Sequence, residues 1–149
     1  MDNNIKQKVS KRELTRLVAI MAHYLLQQND NTKEEVINHL FETPVLQEEL
    51  DINISNVDKV FLNELINGSI DNKDVISNII NSNIKNHKIN MNISDQLIFS
   101  ILHLGVFELM SKLLDKKIIV SQYVNLSSDF FNKQEISIIN AILDSINIV

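Results

Sequence analysis

With 149 residues, 44% of them hydrophobic, two glycines and one proline, the chain is long enough for one buried core and too poor in breakers for a turn-rich β fold. It has no cysteine, which excludes disulfides, thiol catalysis and thiolate metal ligation and fits a reducing cytoplasm. The net charge of −5 is uneven: residues 1–16 hold five cations against two carboxylates, ahead of an acidic remainder.

The opening residues, MDNNIKQKVSKREL, are polar, and no apolar signal-peptide segment is expected from them. A basic end on an acidic body is a common feature of solvated termini, and also of chains that meet two oppositely charged partners. The first helix is expected from about Ser10 to Gln28. At roughly 100° per residue, Leu14, Leu17, Val18, Met21, Tyr24, Leu25 and Gln28 share one arc. Lys8, Lys11, Arg12 and Arg16 fall on the opposite arc if the helix extends back to Lys8, so the pattern predicts a core side and a cationic side.

Thr32-Lys33-Glu34-Glu35 has capping-box spacing and opens a second helix, with Val36, Ile37, Leu40 and Phe41 as its apolar face and Pro44 closing it. Residues 44–53 are acidic and read as a short helical turn. A third helix fits Ser55 to Asn67, with Val57, Val60, Phe61 and Leu65 inward and Gly68 just past its end. Val75, Ile76, Ile79 and Ile80 repeat at helical spacing within a fourth, Asn72 to about Ile84, before a polar connector over residues 86–92.

The stretch from about 94 to 114, SDQLIFSILHLGVFELMSKLL, is apolar on nearly every side. Such a helix belongs at the centre of a protein or in a membrane. Ser100, His103, Gly105 and Glu108 interrupt the run, which argues against a membrane span. Ser94 is the expected N-cap, and Gly105, costing about 1 kcal/mol in a helix interior, implies close approach of a crossing helix. Ile119 to Phe131 carries a thin stripe of Val120, Val124 and Phe131 and predicts a sixth helix. Asn132 caps the last, whose Ile136, Ile139, Ile142, Leu143 and Ile146 form a broad face for docking on the central helix. The expected fold is an all-α, compact bundle of six or seven helices.

No catalytic constellation is visible. His23, His39, His87 and His103 stand far apart without metal-ligand spacing, and Gly68 and Gly105 alone cannot form a phosphate-binding loop. His103 reads as a hydrogen-bonded core or boundary histidine. Glu108, a carboxylate inside the apolar run, needs a partner and is read as a core hydrogen bond to another helix. The expectation is a protein that is not an enzyme and holds no metal or cofactor.

Several segments, in order along nearly the whole chain, resemble the NusB family of bacterial transcription antitermination factors. Arg12, Thr15-Arg16 and Tyr24 match the separations of that family's arginine-rich first helix. Leu102-His103-Leu104-Gly105-Val106-Phe107-Glu108-Leu109 stands where the family has Leu-Arg-Leu-Ala-hydrophobic-Tyr-Glu-Leu. Ile138-Ile139-Asn140-Ala141-Ile142-Leu143-Asp144 is similar to its Phe-Val-Asn-Gly-Val-Leu-Asp, and Leu65-Ile66-Asn67-Gly68 and Asp74-Val75-Ile76 match between them.

The resemblance implies two packed helical bundles forming one domain over residues 1–149, around the central helix. It also implies binding to the boxA element of nascent RNA with the ribosomal protein NusE, within the transcription elongation complex, as a monomer or homodimer. The basic arc of Lys8, Lys11, Arg12 and Arg16 fits contacts to phosphates, whose affinity is salt-dependent. Tyr24 either offers a stacking face to a base or packs its ring in the bundle. Asn140 is expected to tie the last helix to its neighbours.

Four departures bear on RNA binding. The family's central arginine is His103, its Ile-Asn-Glu-Ala is Val120-Ser121-Gln122-Tyr123, its last-motif phenylalanine is Ile138, and its arginine cluster is partly lysine and interrupted by Glu13. They imply weaker boxA affinity or greater dependence on NusE. The alternative is a protein-interaction bundle that keeps the fold without specific RNA binding. A third reading, the NusB-like domain of a ribosomal RNA methyltransferase, is disfavoured on the expectation that no catalytic domain follows Val149.

Overall fold

The computed structural model describes residues 10–28, 30–43, 48, 53–86 and 95–148. Within them lie seven α-helices: α1 (Lys11–Gln28), α2 (Lys33–Glu42), α3 (Lys59–Asp71), α4 (Lys73–Asn86), α5 (Gln96–Ser111), α6 (Lys116–Ser127) and α7 (Lys133–Ser145). A 3-10 turn over Ile54–Asn56 precedes α3, and no strand occurs among the described residues.

Most helix starts follow from local chemistry. Ser10, Thr32, Asp58, Asp95 and Asn132 each accept a hydrogen bond from a first-turn amide, satisfying a donor that the helix itself cannot pair. Asp95 rather than Ser94 caps the central helix; Ser94 lies outside the described residues, as do Pro44 and most of the acidic stretch around it. At the opposite end Lys112 takes the left-handed conformation, with φ 55°, and stops α5.

The all-round apolarity of α5 is used as expected. It packs against α1 and α3 on one side and against α4, α6 and α7 on the other, so it joins two helical groups, while α2 packs on α1. Ile98, Ile101, Leu102, Leu104, Val106 and Leu109 are all buried. A side chain at Gly105 would meet Leu143 of α7 at 3.0 Å and Tyr123 of α6 at 3.6 Å, which is the close crossing its sequence position implied.

Several expectations are corrected. Gly68 lies inside α3, not beyond it, and a Cβ there would overlap the Phe107 ring from α5. Val60 is 70% exposed, while Val57, Phe61 and Leu65 turn inward as expected and Leu62 joins them. Leu113 and Leu114 fall after the end of α5, and Leu113 is 80% exposed. The sixth helix runs from Lys116 to Ser127, so Phe131 lies beyond its end, and Ile119, Tyr123 and Leu126 join Val120 on its buried face.

Candidate nucleic-acid interface

The N-terminal turn of α1 is built into the fold by a short relay. Thr15 Oγ1 donates to the Lys11 carbonyl at 2.7 Å and accepts the Asp58 backbone amide at 2.9 Å. Asp58 in turn caps α3, its carboxylate accepting the Phe61 amide at 3.1 Å. The start of α3 is thereby pinned one turn along α1, and the Phe61 ring lies under the arginines. The Arg12 guanidinium sits 4.1 Å from the ring centroid and that of Arg16 5.3 Å. Both distances are within the range of cation–π attraction.

The two arginines nevertheless have different roles. Arg12 and Lys11 are exposed, whereas Arg16 is 3% exposed. Arg16 Nε donates to Glu108 Oε2 at 2.7 Å and Nη2 to Oε1 at 3.0 Å, a two-point pairing of guanidinium and carboxylate. The hydroxyl of Tyr123, itself fully buried, donates to Glu108 Oε2. Burial alone would lower the guanidinium pKa, but the hydrogen bond and charge of Glu108 outweigh it and leave it raised. Burial, with the Glu108 charge, holds the Tyr123 phenol neutral, well above its usual range.

The placement of Arg16 on a solvent-facing cationic arc is therefore corrected. Neighbouring helices cover α1 on several sides, so Thr15, Ala19, Ala22 and His23 are buried along with the expected Leu14, Leu17 and Val18. Toward its C-terminal end the expected core arc is the more open one: Met21, Tyr24 and Leu25 are half-buried and Gln28 is exposed. Gln28 reaches across to hydrogen-bond Gln96 at the start of α5. Of the five residues expected to meet RNA, Lys11 and Arg12 share one exposed turn, Tyr24 is half-buried further along α1, and Arg16 is internal. Lys8 lies outside the described residues.

A groove of about 490 Å³ runs from Arg12 and Phe61 past Glu64, Phe107 and Ser111 to Leu114. Periodicity alone missed Phe61 as part of this surface, although the Asp58-to-Phe61 spacing carries the capping signal that sets it in place. Asn140 is exposed in a shallow cleft between α6 and α7, contrary to the expected interhelical tie.

The other polar cluster is internal. The rings of His23 of α1 and His103 of α5 lie 5.2 Å apart, with the Phe99 ring 4.0 Å from that of His103 and tilted 45° to it. His23 Nδ1 pairs with Ser100 Oγ at 2.7 Å and His103 Nε2 with Ser77 Oγ of α4 at 3.3 Å; His103 Nδ1 is buried without a partner among the described residues. Burial, then the neighbouring charges, lowers His23 to about 3 and His103 to about 4. His103 is therefore a core residue, so the departure from the family's arginine there falls inside the fold and not on its surface. No group of three or more His, Asp or Glu side chains among the described residues is placed to hold a metal, and none of their helices is long and apolar enough to cross a membrane.

No curated protein matches the chain by sequence. Among solved structures, it is similar to a crystal structure of the antitermination factors NusB and NusE in complex with dsRNA, at TM-score 0.66 and 16% identity over 89% of this chain and 92% of that one. It is also similar to T. maritima NusB, at TM-score 0.67 and 15% identity over 92% and 90% of the two chains. A crystal structure of a plectonemic RNA supercoil contains a third similar chain, at TM-score 0.65 and 16% identity over 89% of this chain and 90% of that one. At these identities the likeness establishes the fold. The NusB family model matches residues 13–147, and with that match spanning nearly the whole helical core the chain belongs to the NusB family.

Proposed function

We propose that this chain is a non-catalytic, RNA-binding transcription antitermination factor. In this reading it binds boxA-type single-stranded RNA together with the ribosomal protein NusE and supports transcription of ribosomal RNA. The observation that carries the reading is the exposed Lys11–Arg12 turn, with the Arg12 guanidinium carbon over the Phe61 ring, 4.1 Å from its centroid. A planar cation whose N–H groups make no hydrogen bond among the described residues suits phosphate oxygens, and two adjacent cations supply the salt-dependent part of the affinity. Tyr24, half-buried on the same helix, keeps part of its ring available for a base. A similar fold crystallised with NusE and dsRNA supports NusE and RNA as the classes of partner.

The burial of Arg16 favours a second reading, because it leaves fewer surface cations than the sequence pattern implied. In that reading the chain is a protein-interaction bundle without specific RNA binding. Titration of a fluorescent boxA-type RNA against a scrambled RNA of equal length, with and without NusE, separates the two. Preference for boxA that NusE strengthens is the expected result. Equal binding of both RNAs even with NusE present would leave the interaction-bundle reading standing.

A further inference from the structure

We propose that Phe61 is a positioning residue for RNA binding: it holds the Arg12 guanidinium over its ring before RNA arrives. This rests on the reading of Arg12 as an RNA contact. Phe61 is anchored through its backbone and its ring. Its backbone amide is tied to the Asp58 carboxylate at 3.1 Å, and Asp58 is tied to α1 through Thr15 at 2.9 Å. Arg16, itself locked to Glu108 at 2.7 Å, stands 5.3 Å from the ring centroid. The ring is 7% exposed, with Arg12 4.1 Å from its centroid.

A cation–π contact with the ring uses none of the guanidinium's N–H groups as donors to an oxygen. Among the described residues Arg12 makes no hydrogen bond or ion pair, so its donors stay free for phosphate oxygens. A free arginine side chain samples many rotamers and must give up that freedom on binding; one already held on a fixed ring gives up less. A ring serving only as core packing would stabilise α3 without affecting Arg12 in particular.

The test is a double-mutant cycle read by titration of fluorescent boxA-type RNA at fixed salt, with thermal unfolding as a check on folding. Phe61→Leu keeps an apolar side chain and removes the π face. It is expected to weaken RNA binding roughly two- to fivefold, the equivalent of one surface cation–π contact, with an unchanged salt slope. In an Arg12→Ala background it is expected to have no further effect, and Phe61→Tyr is expected to bind like the unaltered protein. Equal weakening by Phe61→Leu in both backgrounds, or no weakening in either, would overturn the proposal.

If Phe61→Leu does not fold, Arg12→Lys decides the matter. It keeps the charge and loses the plane, so it is expected to retain the salt slope while losing affinity, and an affinity equal to that of the unaltered protein would overturn the proposal. No effect of Arg12→Ala on RNA binding removes the underlying RNA-contact reading and the role of Phe61 with it, an outcome distinct from a failure at Phe61 alone.

Discussion

Arg12 and Arg16 stand one helical turn apart on the same helix and share one aromatic ring, yet one faces solvent and the other is sealed in the core. Breaking a buried ion pair from one side leaves the other charge desolvated and unmatched, at a typical cost of about 3–5 kcal/mol. Arg16→Ala and Glu108→Ala are therefore both expected to lower stability by that order in urea unfolding. Arg12→Ala is expected to change it by no more than about 1 kcal/mol, the scale of an exposed cation–π contact. Stability within error of the unaltered protein for Arg16→Ala would contradict the structural role assigned to that pair. Glu108's need for a partner was legible, since a carboxylate in an apolar helix has to be paired. Which residue it paired with was not: Arg16 is 92 positions away, and a helical wheel describes one helix without the neighbours that cover it. The same limit applies to Tyr123, whose buried hydroxyl completes the carboxylate's bonding.

At the level of helices, the two glycines mark two different crossings. Replacing a helix-interior glycine by alanine ordinarily gains about 1 kcal/mol in propensity. At Gly105 that gain competes with a 3.0 Å approach to Leu143, and Gly105→Ala is expected to be close to neutral. At Gly68 the new methyl would overlap the Phe107 ring, so Gly68→Ala is expected to destabilise by about 1–3 kcal/mol, as overpacking does. Thermal unfolding of the two variants would show the order, and a Gly68→Ala protein more stable than Gly105→Ala would contradict it.

The histidine pair joins α1, α4 and α5, and its titration gives a further prediction at this scale. The native state holds His23 and His103 neutral, down to about 3 and about 4, against an ordinary value of 6.5. The unfolded chain takes up their protons first, so this contribution to stability is complete above pH 6.5 and is lost as pH falls toward those lower values. Lys73, whose charge also disfavours protonation of both rings, adds to the effect. Urea midpoints should therefore drop between about pH 6.5 and 5, before ordinary carboxylates protonate. A flat profile across that window would contradict the burial of the pair. Periodicity and capping chemistry made the helices themselves legible, because each apolar stripe and each Ser, Thr, Asp or Asn cap is a local signal. Val60 and Leu113 were misjudged for the same reason: an apolar residue at a helix edge follows the exact start or stop, which local pattern fixes least well.

Over the whole molecule, a basic helix start is set on an acidic body, and the internal placement of Arg16 reduces the cations available at that start. At equal salt, boxA-type RNA is expected to bind this chain more weakly than a NusB protein with the full arginine cluster, with NusE recovering part of the difference. Equal affinity without NusE would contradict that expectation. The fold was legible because apolar residues recur at helical spacing in segment after segment, from Leu14 in α1 to Ile146 after α7. The interface was legible only in part, since surface charge patterns do not reveal which cations turn inward. The most direct measurement is an RNA titration of the Arg12→Ala protein across a salt series, beside the unaltered chain. Lower affinity for boxA-type RNA, with the salt slope shallower by about 0.7, the value of one phosphate contact on a single strand, is the predicted result. Affinity and slope both unchanged, in a protein that still folds, would contradict RNA binding through this end of α1.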